Sequence, residues 1–276
     1  MNTVFFGNGL NRLSNDDSWD QIVECIKTAS TEDRIPNTLQ FEAKLSSQDH
    51  YNIESEKELI IEICSKMKNY QPNEISDALA KLNVDNYITT NYDFTFQTSL
   101  MKAGFDSTGS NHSEKTYSIK RYVEFENEQS QHKRIWYIHG ELNRKNTIIL
   151  GHKHYCDYTA KIVDYVSKSF WNGDDNDEKL GRVQSWIDLF FCSDIYIIGS
   201  RLSYEEIDLW WLLSYRKRLQ NQHPSICNNH IVYLGNCGKG KMALFETLGV
   251  EVVSSTQKEY IDKYKEYMCI LSKRLL

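Results

Sequence analysis

Five short runs in this chain are apolar rather than alternating: residues 3–6, 87–89, 135–138, 195–198 and 231–234, with a sixth at 250–253. A strand with one wet face alternates apolar and polar side chains, so a run without alternation must be covered on both faces. Stretches with apolar residues three to four apart lie between these runs, at 18–29, 54–68, 74–82, 161–171, 183–192 and 203–219. A last helix is expected over about 258–275. Strands alternating with helices predict an α/β fold, with a Rossmann-type parallel sheet flanked by helices. Ser203 and Glu206 are placed to form a capping box ahead of "IDLWWLL". The expected organisation is one domain over 1–276, with a helical insertion at about 14–75. A polar insertion follows at about 104–133, where "TYSIKRYVEFE" suggests an added hairpin or edge strand. The run "NGDDNDE" at 172–178 reads as an acidic loop.

Each of the five runs ends in a small or polar cluster. These are "GNGLN" at 7–11, "TNYD" at 90–93, "HG" at 139–140, "GSRLS" at 199–203 and "GN" at 235–236. Open parallel sheets bind ligands beyond the carboxyl ends of their strands. Turn chemistry explains the glycines, but explains Asn91, Asp93 and His139 less well. Gly7 and Gly9 would let the backbone approach a pyrophosphate, whose charge exposed N–H groups can hold. A dinucleotide fingerprint would carry a third glycine at position 12, where this chain has Arg12. No acidic residue closes an obvious second strand about 20 residues later, so an ordinary dehydrogenase is disfavoured.

"GNCGKGKM" at 235–242 has the spacing of a P-loop, yet Met242 stands where Ser or Thr would hold magnesium. That stretch reads as a loop opening a helix at 241–247 rather than as an ATPase. Taken alone, His139 is a strand terminator with an awkward ring. Asn91 and Asp93 could cap a helix in "FTFQTSLMKA". His152 and His154 lack further ligands at useful spacing, and no metal is expected.

The net charge of −6, with Lys and Arg scattered, argues against direct nucleic-acid binding. Seven cysteines without a C-x-x-C pair point to a reducing cytoplasm. The N-terminus lacks a basic leader with a long apolar region, and no run of 18 apolar residues exists. A cytoplasmic protein with no membrane partner is therefore expected.

The clusters "FFGNGLN", "ITTNYD", "YIHG", "IIGSRLS" and "VYLGN" resemble, in this order, the sirtuin-like superfamily. The resemblance spans residues 4 to 236. It implies a Rossmann-type sheet that binds NAD as a substrate and cleaves its nicotinamide–ribose bond. Carried over motif by motif, it makes His139 the general base and Asn91 the group that orients ribose or water. It has Asp93 contact the nicotinamide amide. Gly7, Asn8, Gly9 and Asn11 would surround the pyrophosphate, and Thr90, Gly199, Ser200 and Asn236 would hold ribose and adenosine groups.

Deacylating members carry a four-cysteine zinc module after the histidine. Here only Cys156 and Cys192 stand between His139 and Ile195. The extended motif with Pro and Arg after the glycine loop is also missing. The pattern looks more like the bacterial sirtuin-like NAD hydrolases of anti-phage defence, which deplete cellular NAD. Such an activity needs control, so a regulatory partner protein of a defence operon, or a homo-oligomer, is expected. A protein deacylase and a non-catalytic module binding NAD or ADP-ribose are the alternative readings.

Overall fold

In the computed structural model, the residues described are 1–15, 17–27, 35–47, 53–169, 183–225 and 227–275. The acidic run at 172–178 lies outside them. The strands are β1 (Asn2–Phe6), β2 (Asn86–Thr89), β3 (Phe105–Asn111), β4 (Tyr122–Asn127), β5 (His132–Tyr137), β6 (Asp194–Ile198), β7 (Ile231–Leu234) and β8 (Val250–Val253). They form one sheet in the order β3-β4-β5-β2-β1-β6-β7-β8. The six strands expected from the apolar runs are mutually parallel, and β3 and β4 extend the β5 edge as an antiparallel hairpin. Numbered among themselves, the parallel strands run 3-2-1-4-5-6. That is the doubly wound order, with its switch point between β1 and β6.

The apolar runs have the expected physical cause. Phe5, Ile88, Trp136, Ile195 and Ile197 point into one core, while Val4, Phe6, Tyr87, Ile135 and Ile198 point into another. The first core is closed by α7 (His152–Ser169), α8 (Trp186–Cys192), α9 (Ile207–Gln222) and α10 (Lys239–Thr247). The second is closed by α5 (Glu74–Ala80), α6 (Thr95–Lys102) and α11 (Tyr260–Arg274). With helices on both faces, each inward methyl or ring removed from water contributes about 25 cal/mol per Å².

The described part of the segment between β1 and β2 is built of helices. It holds α1 (Arg12–Asn15), α2 (Trp19–Ile22), α3 (Asn37–Ser46) and α4 (Ile53–Met67). Its own apolar cluster packs Ile22, Val23 and Ile26 against Phe41 and Ile63, and reaches Tyr92 and Ile148 beside the sheet. Of the helix expected over 18–29, residues 28 and 29 lie outside the described residues, and the rest is α2 followed by a 3-10 turn, Glu24–Ile26. A 3-10 turn eclipses side chains three apart. That geometry places Val23 and Ile26 together in the cluster, both fully buried.

Two further boundaries differ from expectation. α7 starts at His152 rather than near 161, so His152 and His154 are helical. The His154 Nδ1 accepts the N–H groups of Leu150 and Gly151, and its Nε2 meets Glu56 at 2.6 Å. The capping box at Ser203 does not form. Leu202 takes a positive φ of 45°, which displaces the helix start to Ile207. Half of the box survives, since the Glu206 carboxylate accepts the Ser203 N–H at 2.5 Å.

Candidate active site

The carboxyl ends of β1, β2, β5, β6 and β7 open into one cavity of about 1550 Å³. Gly7, Asn8, Gly9, Thr90, Asn91, Asp93, His139, Gly199, Ser200 and Asn236 all line it. Asn11 does not, and acts from behind.

The glycine turn is built by contact with the next strand across the switch point. The Gly9 N–H donates to the Gly199 carbonyl at 2.7 Å. A Cβ on Gly9 would lie 2.5 Å from that same oxygen and would strike the Tyr264 hydroxyl. One on Gly7 would lie 3.0 Å from the Ser200 Cα. Gly199 itself needs φ +67°. These glycines therefore let two loops touch, and the close approach is to protein as well as to any ligand. The Tyr260 hydroxyl donates to the Gly9 carbonyl at 3.1 Å, and the Asn8 amide donates to the Asp17 carbonyl.

After β2, the chain separates two roles. Asn91 is 8% exposed, and its side-chain amide has no hydrogen-bond partner among the described residues. Asp93 is fully engaged. Its Oδ2 accepts the Asn11 amide at 2.6 Å, and its Oδ1 accepts the Thr95 N–H at 3.0 Å and the Thr95 hydroxyl. Asp93 thus forms an Asx turn leading into α6 while its carboxylate also lines the cavity.

After β5, Gly140 turns the chain at φ +109°, where a Cβ would stand 2.5 Å from the Thr147 carbonyl. This sharp reversal leaves His139 at the lip of the sheet. The ring is 2% exposed and stands edge-on to Tyr155 at 5.3 Å. Its Nε2 lies 2.9 Å from Oδ2 of Asp208, on the first turn of α9. Burial disfavours the charged imidazole, but the Asp208 charge, its hydrogen bond and the Glu206 charge outweigh that penalty. The result is a pKa above the ordinary histidine value.

Glu206 also lines the cavity. It lies deep within the surrounding protein while keeping part of its surface open to the cavity. Burial raises its carboxyl to about 7, against the opposing pull of His139 and with help from Asp208. The Asp208–His139–Glu206 group was not legible in the sequence. Its signal was faint: an acid one residue into a helix whose neighbours Leu209, Leu212 and Leu213 are all buried.

The later loops are braced from within. Ser200 Oγ accepts the Leu202 N–H at 3.2 Å. The Asn236 side chain is tied to Ser255, accepting its N–H at 2.8 Å and donating to its carbonyl at 2.9 Å. The P-loop-like lysine, Lys241, donates to the carbonyls of Arg201 and Leu202 and sits over the Tyr204 and Trp210 rings. It holds the turn at Leu202 while lining the same cavity as the Gly7–Gly9 turn. Among the described residues, no group of three or more His, Cys, Asp or Glu side chains could hold a metal ion. No helix among them is long and apolar enough to cross a membrane.

The doubly wound sheet thus places a glycine turn and a polar cavity at its switch point, where open α/β sheets bind ligands. Residues 85–174, from just before β2 into the segment after α7, match the family model of the SIR2-like domain. That match supports the sirtuin-like superfamily, and its span includes Asn91, Asp93 and His139. No curated protein matches the chain.

Proposed function

We propose that the protein is an NAD glycohydrolase, cleaving the nicotinamide–ribose bond of NAD with water to give nicotinamide and ADP-ribose. One observation carries this reading. The glycine turn, the Asn91 amide, which has no side-chain hydrogen-bond partner among the described residues, and the His139 ring line one cavity on the switch point of the sheet. Departure of nicotinamide leaves positive charge on the ribose, and the Asp93 carboxylate, fixed by Asn11 and Thr95, favours that charge. Asn91 orients the ribose or the attacking water. His139 accepts the proton that the water loses, and releases it afterwards. The backbone of the Gly7–Gly9 turn supports binding of the pyrophosphate.

Hydrolysis rather than deacylation is favoured by the missing zinc module between His139 and Ile195. The same feature, with the resemblance, supports a role as the NAD-depleting effector of a bacterial anti-phage system, switched on by a partner protein. The test is a product analysis with NAD alone and with NAD plus an acylated peptide, with and without proteins encoded beside this one. Free ADP-ribose in both supports the proposal. An O-acyl product formed only with peptide would make the protein a deacylase, and tight NAD binding without turnover would make it a sensor module.

A further inference from the structure

We propose that Asp208 is the positioning residue of His139: it holds the proton on Nε2 and so makes Nδ1 the atom that takes a proton in the cavity. The inference rests on the reading of His139 as the base. A carboxylate can only accept hydrogen bonds, so the 2.9 Å contact to Asp208 requires a proton on Nε2. Nδ1 is then left with its lone pair, and among the described residues it has no hydrogen-bond partner. The ring plane is held from the other side by Tyr155 and Tyr158 of α7, whose rings stand edge-on to it at 5.3 and 6.3 Å.

Packing does not account for this aspartate. Asp208 is completely buried, beside the core leucine Leu209. Among the described residues, its Oδ1 has no hydrogen-bond partner. A buried carboxylate with one oxygen orphaned is costly, and an apolar residue of similar size would serve the core better. The N-terminal turn of α9 favours a negative charge at this place, but an exposed acid would satisfy the helix equally well. What the buried one adds is a fixed partner for His139.

Charged and titratable groups reach the imidazole from two elements. Asp208 and Glu206 approach from the start of α9, and Tyr155 and Tyr158 from α7. The two acids raise the ring's proton affinity, so Nδ1 is a stronger base than that of a free histidine. Turnover therefore falls as pH drops through the His139 midpoint.

The test uses the full chain with 15N-labelled histidine, comparing wild type, D208N and H139A by ring-nitrogen NMR, NAD binding and nicotinamide release. In wild type, His139 is expected to titrate above an ordinary histidine, with the neutral ring protonated at Nε2. D208N should lower that midpoint, move the acid limb of the pH profile to lower pH and reduce kcat about 100-fold. KM should change by less than about threefold. A wild-type His139 midpoint at or below that of a free histidine overturns the proposal without any variant. So does a D208N ring whose titration and turnover match wild type. Undiminished turnover in H139A would instead overturn the reading of His139 as the base.

Discussion

Replacing Glu206 with glutamine should stabilise the fold in mild alkali and leave it nearly unchanged in mild acid. Burial raises this carboxyl from 4.5 to about 7. A folded-state pKa above the unfolded one gives stability that is complete below the unfolded pKa and lost as pH rises through the folded pKa. For Glu206 the loss runs from about pH 4.5 to about pH 7. The full difference corresponds to about 3 kcal/mol at 1.36 kcal/mol per pH unit. The partial opening to the cavity discounts this to roughly 1–3 kcal/mol. Glutamine keeps an oxygen for the Ser203 N–H but cannot ionise, so the variant escapes the loss. In a chain of this size the gain corresponds to a Tm about 2–5 °C higher at about pH 8.5. Thermal melts across the range from about pH 5 to about pH 8.5 make the comparison. Parallel curves for the two proteins, or a variant destabilised equally at both ends, would refute the reasoning.

The other expectations concern backbone geometry. Gly9→Ala should weaken NAD binding at least tenfold or so, because the new methyl meets the Gly199 carbonyl and forces the two loops apart; calorimetric titration measures it. Gly140→Ala should cost about 2–4 kcal/mol in a denaturant titration, from a disfavoured φ and overlap with the Thr147 carbonyl. Asn73 caps α5 by accepting the N–H groups of Ile75 and Ser76, and Asn73→Ala should cost about 1 kcal/mol with an unchanged denaturant slope.

The sheet was legible because covering both faces leaves a direct trace, a run without alternation. All six parallel strands could be placed to within a few residues, and "TYSIKRYVEFE" suggested an added hairpin or edge strand, of which residues 122–126 lie in β4 while its partner β3 lies outside it. Helix starts were harder. Nothing in the residues after Gly199 says that Leu202 will take a positive φ, with its carbonyl held by Lys241 from the first turn of α10. The 3-10 turn at Glu24–Ile26 answers to a cluster formed by distant segments, which no local pattern contains.

The site divides in the same way. Clusters ending strands are local, so Gly7, Asn91, His139 and Gly199 could be picked out. Partners reached through space could not. Asp93 lies far from Asn11 in the sequence, and their hydrogen bond is visible only in the fold. Asp208 reads as one polar residue on an apolar helix until it stands beside His139. The "GNCGKGK" stretch shows the converse: its lysine has the right spacing for a phosphate, yet its contacts are backbone carbonyls and aromatic rings.

The central claim is that His139 takes the proton when the nicotinamide–ribose bond of NAD is hydrolysed in this cavity. Its most direct test is nicotinamide release from NAD by wild type and H139A, each measured with any activating partner and each checked for NAD binding. The account predicts equimolar nicotinamide and ADP-ribose from wild type. For H139A it predicts a loss of about 100-fold or more with binding retained. Nicotinamide release by H139A at the wild-type rate would contradict it.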